Sequence, residues 1–307
     1  MEKDRRKIWG VFKMNKIAVV DLSWIMHRYR HAHEELSCII DGKRVPTGHI
    51  YGTYTFIKDL SSKYKRVILA VDSNPTIRKE ISPTYKSNRQ KEIKDEFTDY
   101  RIHQDDDAVI TLCTSFENVY YVKEEGYEAD DIIGTLILKA DKDWDFYFRD
   151  NDILQNIGTY NLCVSFEKDL TLGEIVDIRE HIKRKYELDL DYLPLLWKVI
   201  KGDSGDCIPI GFERFPTKIL KELCLDERLH SNYVSFDICV DILTSYKNYT
   251  GKTKEAIEKL KDKNSDLYKK LKINYKLVKP MYLEKIKRRK MEGDISKIFS
   301  KFNIKNI

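Results

Sequence analysis

The sequence predicts an α/β fold built on a mostly parallel sheet with flanking helices, and three observations carry that prediction. Two short apolar runs, Ile17-Ala18-Val19-Val20 and Arg66-Val67-Ile68-Leu69-Ala70-Val71, are separated by a helical pattern over Tyr54 to Leu60. Each run ends in an acid, Asp21 and Asp72. Two further runs, Val119 to Val122 and Phe146 to Phe148, lead into Glu128-Ala129-Asp130-Asp131 and Asp150-Asn151-Asp152. Ligands of parallel sheets bind outside the carboxyl ends of the strands, so the acids are predicted to share one crevice.

A chain of 307 residues, 42% hydrophobic and 34% charged, is long enough for one large domain and a smaller one. No run of about 18 apolar residues is present, so no membrane span is expected. Met1 to Lys16 is basic but lacks the apolar stretch of a secretion signal. Cys38, Cys113, Cys163, Cys207, Cys224 and Cys239 are scattered without a C-x-x-C pair, which suits thiols in a cytosol better than disulfides or structural zinc. Residues 1–190 carry 30 Lys+Arg against 34 Asp+Glu, and residues 191–307 carry 25 against 16. That asymmetry fits a cation-loaded site beside a polyanion-binding surface, although a Lys-rich solvated surface would look the same.

Between the first two strands, His27, His31 and His33 have a spacing open to metal binding but no Cys partner, and read better as helix-face residues. Residues 77–107 are polar and contain Arg78, Lys79, Lys86, Arg89, Lys91, Lys94 and Arg101 with Tyr85, Phe97 and Tyr100 interleaved. They read equally as a solvated helical excursion or as a basic-aromatic arm for a single strand.

The pattern after Tyr127 starts a buried helix with three acids in its first turn. Glu128 and Asp131 fall on one face with Asp130 beside them. Such acids complement the helix dipole, but three in four residues is more than a dipole needs. Gly202-Asp203-Ser204-Gly205-Asp206 supplies another pair on a tight loop. From Phe236 onward the chain is lysine-rich and helical in tendency. Lys285 to Lys290 is its densest basic cluster, read as a solvated helix end or a phosphate patch, and Ile295 to Phe302 is expected to pack on the body.

The tally is nine acids: Asp21, Asp72, Glu128, Asp130, Asp131, Asp150, Asp152, Asp203 and Asp206. Oxygen-only ligands select Mg²⁺ or Mn²⁺ over zinc. Two ions about 4 Å apart are the natural count for displacement at phosphorus.

In order and spacing these residues resemble the structure-specific 5′ nucleases: flap endonucleases, phage 5′–3′ exonucleases and the phage primer-removing enzymes called RNase H. The resemblance runs over roughly residues 16–225. It rests on Val20-Asp21-Leu22-Ser23, Pro46 to Gly52, Val71-Asp72, Tyr85-Lys86-Ser87-Asn88-Arg89, Glu128 to Asp131, Asp150-x-Asp152 and Gly202 to Pro209. It implies a PIN-like catalytic domain over 1–190 with a helical arch near 77–107. A helical duplex-binding domain would follow over 191–307, with a helix–three-turn–helix element near 193–225.

By the same resemblance, Asp21, Asp72, Glu128, Asp130 and Asp131 serve a first Mg²⁺. Asp150, Asp152, Asp203 and Asp206 serve a second, and Mn²⁺ can substitute. Asp130 and Asp150 carry catalysis with Lys86 and Arg89, which contact the scissile phosphate. Arg78, Tyr85 and Lys218 are further nucleic-acid contacts.

The implied enzyme is a phosphodiesterase that gives 5′-phosphates and acts as a monomer in a bacterial or phage-infected cytoplasm. Its substrates are 5′ flaps, 5′ ends or RNA–DNA primers, and its partners a single-strand-binding protein or sliding clamp. Arg149 stands where the family has a small or hydroxyl residue. The hairpin over Ile210 to Lys218 lacks a family glycine, which argues against a K⁺ site there. The alternatives are a single-metal PIN-type ribonuclease and a catalytically inactive junction-binding protein.

Overall fold

The computed structural model describes residues 15–90, 100–163 and 177–304. Lys91, Lys94 and Phe97, and the side chain of Arg89, lie outside the described residues. The chain opens with β1 (Ile17–Asp21), α1 (Leu22–Ala32), a hairpin of β2 (Ser37–Ile40) and β3 (Lys43–Pro46), α2 (Gly48–Lys63) and β4 (Arg66–Ala70). Next come α3 (Thr76–Ile81), α4 (Asp106–Thr114), β5 (Val119–Val122), α5 (Ala129–Ile137), β6 (Trp144–Tyr147) and β7 (Asn161–Leu162). The remainder is helical: α6 (Ile178–Tyr186), α7 (Leu195–Lys201), α8 (Thr217–Cys224), α9 (Phe236–Ser245), α10 (Gly251–Leu260), α11 (Asp266–Val278) and α12 (Ile295–Lys301).

The fold is α/β. Five strands in the order β5-β4-β1-β6-β7 form a sheet in which every neighbouring pair is parallel. Both faces are covered, which is why the strands read as continuous apolar runs rather than alternating ones. Val19, Ile68 and Phe146 point into a core shared with α5 and with α7 to α11. Ala18, Val20, Leu69 and Tyr147 point the other way, against α1, α2, α4 and α12. Burial of Ile132, Ile133, Leu136 and Ile137 fixes α5 on the sheet, each side chain contributing about 1.5–3 kcal/mol. α2 begins at Gly48, ahead of the pattern over Tyr54 to Leu60, and lies close on α1. A Cβ on Gly52 would meet the Tyr29 ring at 2.4 Å.

Three features of the packing bear on those expectations. The division at residue 190 does not separate two cores, because one apolar cluster runs from Val19 and Phe146 through to Leu271 and Val278. The chain beyond α11 also returns to the sheet. Arg289 exchanges both backbone hydrogen bonds with Tyr121 on edge strand β5, and Phe302 is buried in the core on the α1/α2 side. The basic cluster is therefore not a helix end. Its Arg289 donates to the Lys123 carbonyl and Lys290 to that of Phe116, capping the edge strand. The packing expected of Ile295 to Phe302 is observed.

Candidate metal centre

Because the sheet is parallel, its carboxyl edge gathers residues from separate strands. Asp21 ends β1, Asp72 follows β4, and Asp150 follows β6. Together with Asp130 from the first turn of α5, and Asp203 and Asp206 from the loop after α7, they line one cavity of about 490 Å³. Asp21 also caps α1 by accepting from Trp24 N–H, and Asp72 accepts from Ala129 N–H at 2.8 Å, which locks the α5 N-terminus against β4.

Three of the nine acids, Glu128, Asp131 and Asp152, do not line this cavity. Asp131 is 1% exposed, and both its oxygens are engaged. Oδ2 accepts from Arg78 Nη1 (2.6 Å) and Glu128 N–H (3.1 Å), and Oδ1 from Arg78 Nη2 (2.7 Å) and Met281 N–H (2.9 Å). It closes a capping box on α5 and does not line the cavity. Glu128 is buried beside it. Its Oε2 accepts from Arg78 and Tyr85, and its Oε1 pairs with Lys86.

Two of the residues assigned above to nucleic acid are drawn into the same network. Arg78 is 5% exposed and spends its guanidinium on Asp131, Glu128 and the Leu277 carbonyl. Tyr85 is buried, its hydroxyl bonded to Glu128 (2.8 Å) and Asp206 (3.2 Å). Tyr100 likewise points inward, donating to Asp105 at 2.6 Å. Lys86 does reach the cavity, from a left-handed backbone (φ 54°), with its amine 3.7 Å from Asp206. Lys218 is exposed on the first turn of α8. Arg149 is exposed and stands at the cavity wall.

Sequence reasoning missed Lys198. Its amine lies 2.5 Å from both Asp152 and Asp203, with the side chain only 10% exposed. The signal was present, because Lys198 sits amid Leu195, Leu196, Val199 and Ile200, on the inward side of α7 where a lysine needs a buried partner. It also missed His103, whose ring stands 5.7 Å from that of the α1 residue His27 on the cavity wall.

The crowding is visible in the proton affinities. Burial, then the charge of Asp72, pushes the Asp21 carboxyl up to about 7. Burial and Asp150 do the same to Asp152, to about 7, and hold Asp130 well above the usual carboxylate range. Burial opposes ionisation of Asp203 too, but Lys198 outweighs it and lowers this carboxyl.

The donor set fits a hard cation, since six carboxylates line the cavity. The buried Asn151 Oδ1 at its edge accepts no hydrogen bond. Among the described residues no three such groups close on a single point. The amines of Lys86 and Lys198 take positions between the acids, and Mg²⁺ that retains waters does not need a closed protein cage.

The chain is thus a parallel α/β fold with an acidic, lysine-bridged crevice at the carboxyl edge of its sheet, where ligands of such folds bind. Residues 16–187 match the family described as 5′-3′ exonuclease, N-terminal resolvase-like domain, and the chain belongs to the 5′-3′ exonuclease family. It is 29% identical over 262 residues to DNA polymerase I of Bacillus subtilis, covering 80% of this chain and 26% of the relative. It is 28% identical over 229 residues to DNA polymerase I of Caldicellulosiruptor bescii, covering 71% and 25%. The chain thus spans about a quarter of the length of these relatives.

In fold it is similar to the zinc-bound 5′-exonuclease of bacteriophage T5, with a TM-score of 0.59 and 19% identity over 86% of this chain and 89% of that one. It is also similar to a bacteriophage T5 flap endonuclease in a pseudo-enzyme-product complex with DNA and metal ions, with a TM-score of 0.56, 18% identity and the same coverages. Among the described residues no helix is long and apolar enough to cross a membrane.

Proposed function

We propose that the chain is a Mg²⁺-dependent, structure-specific 5′ nuclease. It hydrolyses phosphodiesters near single-strand/duplex junctions, gives 5′-phosphate products, and clears 5′ flaps or RNA primers in the cytoplasm during replication or repair. The observation that carries this reading is the cavity itself, where carboxylates from five elements converge with Lys86 beside them. A protein that only bound nucleic acid would gain nothing from so much negative charge facing phosphate.

Asp21, Asp72 and Asp130 would hold one cation, with Glu128 Oε1 behind it, and Asp150, Asp152, Asp203 and Asp206 a second. Bound cations supply a nucleophilic water at neutral pH and charge stabilisation for the leaving oxygen. Lys86 and Arg89 are assigned to the scissile phosphate, where cations stabilise developing charge. Residues 191–278, with α7 and α8 as a helix–three-turn–helix, are assigned to the duplex, Lys218 contacting its backbone. The zinc- and metal-bound T5 relatives and the DNA in one of them support both assignments.

The test is a 5′-labelled flap on a nicked duplex, incubated with Mg²⁺ or with EDTA. Short products released near the junction only with Mg²⁺ are expected; binding without cutting in both Mg²⁺ and Mn²⁺ overturns the reading.

A further inference from the structure

Arg78 lies at the start of the insertion between β4 and α4, where a cation would ordinarily be assigned to phosphate. Instead it is buried and makes four donor contacts: two on Asp131, one on Glu128 Oε2 and one on the Leu277 carbonyl. The paired contacts on Asp131 are the planar fork-to-fork arrangement that only a guanidinium provides. Asp131 and Glu128 are absent from the cavity wall, whereas Asp130, between them in sequence, is on it.

The network extends in both directions. On one side Glu128 Oε1 holds Lys86, and Tyr85 links Glu128 to Asp206 on the loop after α7. On the other, the segment leaving α11 donates Met281 N–H to Asp131 and Leu283 N–H to Thr135 Oγ1. α11 itself packs on both α3 and α7.

We propose that Arg78 is a positioning residue for the metal centre. It withdraws Asp131, and one oxygen of Glu128, from the cavity, so that Asp130 alone among the first-turn acids is a direct ligand. It also leaves Glu128 Oε1 aligned on Lys86, and it ties this arrangement to the carboxyl end of α11. An unscreened Asp131 beside Asp130 would repel it and turn the first-turn acids into competing ligands. The inference rests on the metal-dependent reading above and deepens it.

The experiment uses the full chain and reads binding rather than turnover. Mn²⁺ or Ca²⁺ is titrated calorimetrically into the wild type, Arg78→Lys, Asp130→Asn and Asp131→Asn, with thermal unfolding in EDTA as the check on folding. Arg78→Lys keeps the charge and loses the fork. It is expected to weaken cation binding about 10-fold or more, as disturbing the outer hydrogen bonds that order a metal site does. Its binding of flap DNA in Ca²⁺ should keep the wild-type salt dependence.

Asp131→Asn should weaken the cation several-fold at most, and Asp130→Asn far more. Unchanged cation affinity in Arg78→Lys, or equal losses in the two Asn variants, overturns the proposal. A salt slope reduced by about one in Arg78→Lys also overturns it, since that is the mark of a phosphate contact. Should Arg78→Lys fail to fold, the two Asn variants decide. Absence of cation binding by the wild type would overturn the metal reading itself, a result separate from any difference among variants.

Discussion

The amine of Lys198 stands 2.5 Å from Oδ2 of Asp203, five residues along the chain, and closes the end of α7 onto the loop that carries two of the site's acids. The same amine is 2.5 Å from Asp152, so one cation joins the acids after β6 to those after α7. In the metal-free protein Lys198 serves as the counter-charge. Lys198→Met should therefore lower stability in EDTA by about 2–3 kcal/mol, somewhat less than a fully buried broken pair because Asp203 is partly exposed. Millimolar Mg²⁺ should restore much of the loss, since a divalent ion replaces the charge. Thermal unfolding in EDTA and in Mg²⁺ measures both, and an equal deficit in the two conditions would refute the counter-charge role.

The raised Asp21 carboxyl has a consequence of definite sign. Its folded value, about 7, lies above the ordinary 3.8, so the folded state holds a proton that the unfolded chain has released between those values. The group's contribution to stability is full below pH 4 and falls as pH rises towards 7. Asp21→Asn keeps a capping side chain for α1 and removes the buried charge. In EDTA at pH 8 the variant should be more stable than wild type by about 1–2 kcal/mol, with the difference closing near pH 4. Mg²⁺ should reverse the order, because only the wild type gains from the ion. A wild type more stable than the variant in EDTA at pH 8 would refute the account.

The sheet was legible because its strands are buried on both faces, and the acids were legible because a parallel sheet delivers them to one edge. What escaped depended on pairing at a distance. Asp131 reads like Asp130 in a list of acids, and only the fork of Arg78, 53 residues away, sets them apart. The β2–β3 hairpin was overlooked although Asp41-Gly42 between its strands is a strong turn signal, both residues adopting positive φ (51° and 76°). Lys285 to Lys290 read as helical because nothing local shows that strand β5 has a free edge for Arg289 to cover.

Lys86 is held by Glu128 and Asp206 while its backbone N–H donates to the Asp206 carbonyl at 3.0 Å. Its amine is therefore presented beside the carboxylates rather than on the outer surface. Lys86→Ala should lower single-turnover cleavage by about 10²-fold or more, as loss of one transition-state donor does. Binding of flap DNA in Ca²⁺ should change only about two- to three-fold, because the duplex is gripped elsewhere. An effect confined to binding would reduce Lys86 to a phosphate tether.

Gly202 decides where Asp203 and Asp206 stand. It ends α7 at φ 68° and ψ −166°, a conformation that side chains exclude, and a Cβ there would lie 2.3 Å from the Pro209 carbonyl oxygen. The loop beyond it is closed by Asp203 and Ile208, which exchange backbone hydrogen bonds of 3.0 and 2.7 Å. With a methyl group at 202 the Pro209 side must move away, the bridge opens, and the two acids separate from Lys198 and Lys86. Gly202→Ala should cost about 2–3 kcal/mol of stability from backbone strain. It should also raise the Mg²⁺ concentration needed for half-maximal cleavage, a shift that strain in a remote loop would not produce. Unfolding curves and a Mg²⁺ titration of flap cleavage measure the two effects. A destabilised variant with wild-type Mg²⁺ dependence would show that the loop's closure supports the fold and not the cation.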